Sequence, residues 1–132
     1  MNEIFFPDFD EVLLIHAEII KATGGSEGLR DAGGLESALK AAENRFNYET
    51  KDLAKLAATF AFAYHLSQAH AFVDGNKRIA AVVAELFLKL NGAKLDLTND
   101  EIVEIYLAIA AGEMSREAVE EKFTERLILS EN

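Results

Sequence analysis

The sequence has no cysteine, few basic residues and no long apolar run. The lack of cysteine excludes disulfides and thiol chemistry, and it is typical of a protein that works in a reducing cytosol. No apolar segment nears the roughly 18 residues of a membrane span, and the first residues lack the basic region of a signal peptide. We therefore expect a cytoplasmic protein with no membrane partner.

The shortage of basic residues limits what the protein can bind. There are 13 Lys and Arg residues against 23 Asp and Glu residues, which gives a net charge of −10. Such a charge opposes general nucleic-acid binding, so we expect no direct nucleic-acid partner. It also repels free ATP, and a nucleotide site would therefore need positive charge concentrated locally.

Apolar residues make up 50% of the 132 residues, enough to form the core of a single domain over residues 1–132. Their helical spacing predicts helices over residues 8–22, 35 to 45–47, 52–68, 76–90, 99–111 and 115–129. The helix over 52–68 is apolar on two sides and should be central. A glycine-rich loop should span 24–34, and the weak alternation over 93–98 is too short to predict a sheet. The pattern indicates an all-α bundle of five to six helices.

Residues 70–78, His-Ala-Phe-Val-Asp-Gly-Asn-Lys-Arg, join two of these predicted helices and concentrate reactive side chains. Lys77 and Arg78 fall in the first turn of the helix over 76–90, where the positive helix end disfavours cations unless an anion binds. Gly75 permits a tight turn and close backbone approach, so the loop predicts a phosphate site. Asp74 is the type of ligand that Mg²⁺ needs beside phosphate, and His70 is suited to proton transfer.

Less specific roles compete with these for some residues. Phe72 most simply plugs the core and anchors the loop. Two readings of Asp74 stay open and are compatible, since a carboxylate can cap the next helix and also ligate a metal. His16, on or beside the apolar face of the first helix, is interpreted as a structural histidine rather than a catalyst.

The nine residues match every specified position of the Fic/Doc signature, His-x-Phe-x-Asp/Glu-Gly-Asn-Lys/Gly-Arg. The similarity extends through Ile15-His16, Gly24-Gly25, residues 28–31 and 35–39, Phe87-Leu88 and Asn91-Gly92, and so covers nearly the whole chain. The sequence thus resembles the Fic/Doc family, in particular its death-on-curing (Doc) branch. This resemblance implies a small helical bundle that binds a nucleoside triphosphate and modifies a protein hydroxyl, with a neighbouring antitoxin protein as partner.

Carried onto this sequence, the family's roles make His70 the catalytic base and Asp74 the Mg²⁺ ligand. The resemblance assigns phosphate and nucleotide binding to the residues that follow, Gly75, Asn76, Lys77 and Arg78. Phe72 remains the loop anchor.

The resemblance leaves open which part of ATP is transferred. The AMP-transferring Fic pattern has Pro after the His, Gly before the first Arg and a second Arg three positions later, where this chain has Ala71, Lys77 and Ala81. These departures match the Doc branch, which phosphorylates elongation factor Tu. Phosphate transfer to a Ser or Thr hydroxyl is therefore the leading hypothesis, and AMP transfer or a catalytically degenerate Fic-fold binding module are the alternatives.

Overall fold

The computed structural model describes residues 4–24, 28, 32–66 and 76–129, without the side chains of residues 23, 62–66 and 76–78. Within those ranges the chain forms six helices and two short strands. The elements are α1 (Phe9–Thr23), α2 (Ala32–Tyr48), α3 (Leu53–Leu66), α4 (Asn76–Leu90), β1 (Ala93–Leu95), α5 (Asn99–Ala110), α6 (Arg116–Arg126) and β2 (Leu127–Leu129). The predicted all-α bundle is confirmed. None of the helices described is both long and apolar enough to cross a membrane.

Helix α3 lies at the centre of the bundle, as its two apolar sides predicted. Leu56, Phe60 and the alanines beside them are fully buried. The helix packs against α2, α4, α5 and α6. The ring of Phe60 lies 5.2 Å from that of Phe87 on α4, so an aromatic contact joins the two helices that flank the signature.

Four of the helices begin at side chains that satisfy their first free N–H groups; at α3, the Asp52 carboxylate accepts a hydrogen bond from the Lys55 N–H at 3.0 Å. Asp8 and Thr98 form capping boxes with Glu11 and Glu101, and the Ser115 hydroxyl accepts a hydrogen bond from the Ala118 N–H. Each such cap stabilises its helix by about 0.5–2 kcal/mol. The predicted starts of α1, α5 and α6 are confirmed to within one residue.

Helix α2 begins at Ala32, three residues before its predicted start at Leu35. The glycine-rich loop was predicted to extend to Gly34. That boundary was wrong, because Gly33 and Gly34 lie inside the helix. Glu36 and Ser37 are exposed as predicted, but they follow the first turn instead of forming it. Glycine disfavours a helix by about 1 kcal/mol. Burial of the helix face that begins with Leu35, which is fully buried, offsets that cost.

The C-terminal prediction was also wrong in part. Helix α6 ends at Arg126, and the three following residues form β2, antiparallel to β1, with Leu127 opposite Leu95. The weakly alternating residues after Gly92 do form a strand, which the sequence analysis considered too short for a sheet. Its partner lies more than 30 residues along the chain, so no local pattern revealed the pairing.

Candidate functional site

The signature joins the end of α3 at Leu66 to the start of α4 at Asn76. Helix α4 begins at the predicted residue, which places the backbone of Lys77 and Arg78 in its first turn. The side chains of residues 76–78 lie outside what is described. His70, Phe72, Asp74 and Gly75 lie outside the described residues altogether. The positions of these four residues, and with them the catalytic, metal and loop-anchor assignments, stay predictions.

The described start of α4 has the electrostatic character of an anion site. Its first turn contains no acidic residue, and its first residues are Asn76, Lys77 and Arg78. A helix N-terminus presents unpaired N–H groups and about half a positive charge. The added cations make this helix end suited to phosphate.

Core packing holds α4 along its length and thus fixes where its first turn lies. Ile79, Val83 and Phe87 recur along one face of the helix and are all fully buried. Their spacing of four residues faces them toward the same side. A shift of the helix along its axis would pull all three side chains out of the core, so packing fixes where the N-terminal end of α4 lies.

The opposite end of α4 is tied to the N-terminal segment by Asn91. Its side-chain oxygen accepts a hydrogen bond from the Phe5 N–H at 2.8 Å, and its side-chain nitrogen donates to the Phe5 carbonyl at 2.9 Å and to the Phe87 carbonyl at 2.8 Å. The next residue, Phe6, lies 5.5 Å from the Phe87 ring and 5.7 Å from the Phe46 ring of α2. Sequence analysis named Asn91 only within the family resemblance and did not reveal this contact, because its backbone partner lies 86 residues away.

A partly buried charge network joins α2, α3 and α6. The Arg45 guanidinium donates to a Glu120 carboxylate oxygen at 2.6 Å, to the Thr59 hydroxyl at 3.0 Å and to the Lys55 carbonyl at 3.2 Å. It also donates to Glu49 at 2.6 Å. Burial alone would lower the pKa of Arg45, but the hydrogen bonds with Glu120 and Glu49 outweigh it and raise that pKa. Sequence analysis missed this network completely.

A second cation approaches the same carboxylate. The Arg116 Nε lies 3.2 Å from the Glu120 oxygen that Arg45 also contacts, one helical turn away on α6. That contact is an ion pair without hydrogen-bond geometry. In this network the buried Glu120 carboxylate on α6 is neutralised mainly by Arg45 on α2. The network therefore links the helices that surround α3.

His16 on α1 is buried, with 3% of its surface exposed, as its structural interpretation predicted. Elsewhere in the described ranges, no group of three or more His, Asp or Glu side chains is placed to hold a metal ion.

Residues 6–88 match the model of the Fic/DOC family, a range that runs from the N-terminal segment almost to the end of α4 and includes the whole signature. A curated relative, "Protein kinase doc" of Escherichia phage P1, is 32% identical over 111 residues. The alignment covers 83% of this chain and 86% of the relative.

Proposed function

Because this chain belongs to the Fic/DOC family, we propose that it is the toxin of a toxin–antitoxin pair. Its proposed reaction is the transfer of phosphate from ATP to a Ser or Thr hydroxyl of a translation protein such as elongation factor Tu. The observation that carries the proposal is the intact signature over residues 70–78, in a chain similar to a protein described as a kinase.

In this proposal His70 accepts the proton of the target hydroxyl while the hydroxyl oxygen attacks the γ-phosphorus. The bond between that phosphorus and the β–γ bridging oxygen breaks, and ADP leaves. The first N–H groups of α4 and the cations Lys77 and Arg78 stabilise the charge on the phosphates, with Gly75 and Asn76 completing the loop. Asp74 offers the carboxylate oxygen that Mg²⁺ favours, and the ion would neutralise phosphate charge when bound.

The position of Ala81 supports phosphate transfer over AMP transfer. Ala81 follows Arg78 by three residues on α4, so the two share a helix face. It is partly buried against the core, and its methyl group offers no contact to a phosphate. Attack at the α-phosphorus requires contacts that hold the departing pyrophosphate. Here the cations gather at the helix start, which suits a single transferring phosphoryl group.

The decisive test incubates the purified protein with elongation factor Tu and ATP labelled at either the α- or the γ-phosphate. We expect label from γ-phosphate only, together with a phosphate-sized mass increase on the factor. His70→Ala should abolish the transfer and keep Mg-ATP binding, because a general base acts mainly in the transition state. A control is Lys40→Ala at an exposed position of α2, which should keep transfer activity.

Other outcomes select the alternatives. An AMP-sized adduct would contradict the kinase proposal and favour adenylyl transfer, and Ala81→Arg would then test the missing clamp. Mg-ATP binding without transfer to any purified translation factor would favour a degenerate binding module. The antitoxin is tested separately, by expressing the protein from an inducible promoter with and without its neighbouring gene and comparing growth.

A further inference from the structure

Within the described residues, the backbone groups on the edge of β1 that faces away from β2 have no hydrogen-bond partner. The Asp96 N–H donates to the Arg126 carbonyl at 2.7 Å, and these residues lie opposite each other in the register of the sheet. In an antiparallel pair, such hydrogen-bonded positions alternate with positions whose backbone groups point outward. Leu95 is therefore an outward position, and Leu97 continues the same alternation. No hydrogen bond in the described part of the chain uses the backbone groups of Leu95 or Leu97.

A half-open cleft of about 490 Å³ runs along this edge. Lys94 and Leu95, whose side chains point to opposite faces of the sheet, both line it, which is expected of a cleft at a strand edge. Its described lining includes no residue of β2, so it lies on the unpaired side of β1. Helix α4 forms one wall with Glu85 and Lys89, and helix α5 forms the other with Ile102.

The lining is apolar along the strand and carries more positive than negative charge. Leu95, Leu97 and Ile102 are partly buried and packed against the core. The lining contains two lysines, Lys89 and Lys94, and one carboxylate, Glu85. Its net charge is therefore +1, in a chain whose net charge is −10. An unpaired strand edge, an apolar floor and local positive charge together suit an extended acidic peptide.

We propose that this cleft binds an extended acidic segment of a partner protein, which pairs with β1 as a third strand. The backbone groups of Leu95 and Leu97 supply the pairing, and Lys89 and Lys94 select acidic side chains. A second copy of the chain is disfavoured as the occupant, because pairing of two β1 edges would bring together two clefts whose linings each carry a net charge of +1. The proposal does not depend on the transferase reaction, and its test needs no ATP.

The test uses two synthetic hexapeptides, acetyl-Val-Glu-Val-Glu-Val-Glu-amide and the same sequence with Lys for Glu. We expect the acidic peptide to shift the amide NMR signals of residues 93–97 and to slow hydrogen exchange at the Leu95 and Leu97 amides. The basic peptide should bind at least tenfold more weakly. Lys94→Glu should weaken binding of the acidic peptide by a similar factor. The matched control is Lys40→Glu on the exposed side of α2, which should leave its affinity unchanged.

Three results would overturn the proposal. Equal affinity for the two peptides would exclude selection by charge, and shifts confined to other residues would place binding elsewhere. Undiminished binding of an acidic peptide with N-methylated backbone nitrogens would exclude strand pairing. Protection of the Leu95 amide that rises with protein concentration, without any peptide, would assign the edge to a second copy instead.

Discussion

Replacing Arg45 with methionine should destabilise the fold more than any change at an exposed charge. Methionine preserves most of the side-chain length but removes the guanidinium that hydrogen-bonds Glu120, Thr59 and the Lys55 carbonyl. The side chains of Arg45 and Glu120 are only 8% and 11% exposed. The variant therefore leaves a carboxylate in a poorly solvated place without its principal partner.

The geometry sets the size of the effect. Removing one partner of a buried ion pair costs about 3–5 kcal/mol. Arg116 still approaches the same Glu120 oxygen at 3.2 Å, so we take the lower end, about 3 kcal/mol. The lost contact with Glu49 adds little, since that carboxylate is 55% exposed. At about 2.1 cal/mol/K per residue, unfolding of 132 residues has an entropy near 0.28 kcal/mol/K, so the melting temperature should fall by about 11 °C.

The assay is urea denaturation at pH 7 followed by circular dichroism, with Lys40→Met as the control on the exposed side of the same helix. The double variant Arg45→Met with Glu120→Leu removes both charges and should recover most of the lost stability, because no buried charge is then left unpaired. A loss below about 1 kcal/mol in the single variant would refute the reasoning. A double variant no more stable than the single one would refute it as well.

Three further changes test other parts of the molecule. Asn91→Ala removes both hydrogen bonds to Phe5 and should cost about 1–3 kcal/mol, with faster hydrogen exchange at the Phe5 amide; unchanged exchange would contradict the role of Asn91. Desolvation raises the pKa of Glu85, so its charged form destabilises the fold once pH rises through the folded pKa. Because Glu85 is exposed to solvent, Glu85→Gln should raise the free energy of unfolding only slightly at pH 7 and bring no gain at a pH well below 4.5, the ordinary pKa of Glu. Phe72→Ala should lower stability by about 3–5 kcal/mol if Phe72 anchors the loop in the core, whereas normal stability with lost transfer would mean that it contacts the ligand.

The helix starts were predictable because the interactions that define them are local. Asp8, Thr98 and Ser115 each bond to a backbone N–H three residues later, so sequence and structure are linked within one turn. The start of α4 at Asn76 was also predictable from a local pattern, in this case the apolar spacing of the helix itself. Local rules also placed the two cations of the signature in the first turn.

The remaining features depend on residues far apart in the chain. Arg45 and Glu120 are 75 positions apart, and each looks like an ordinary surface charge in its own helix. In sequence, residues 127–129 continue the apolar spacing of an amphipathic helix. They form a strand instead because β1 lies beside them and supplies backbone partners. The early start of α2 has the same origin, because burial of Leu35 outweighed the local preference of its glycines.

The two ends of α4 connect the fold to the proposed chemistry. Its N-terminus carries the residues that we propose bind phosphate, and 15 residues at about 1.5 Å each separate it by roughly 22 Å from the end held by Asn91. Close packing of Ile79, Val83 and Phe87 in the core resists bending within α4, so the helix moves as one rigid element. Any change that tilts the Asn91 end must therefore also displace the first turn. A displacement of about 1 Å at a reacting centre can cost a hundredfold in rate. The N-terminal segment, which is bonded to Asn91 at the far end of α4, thus helps to fix where the first turn of that helix lies.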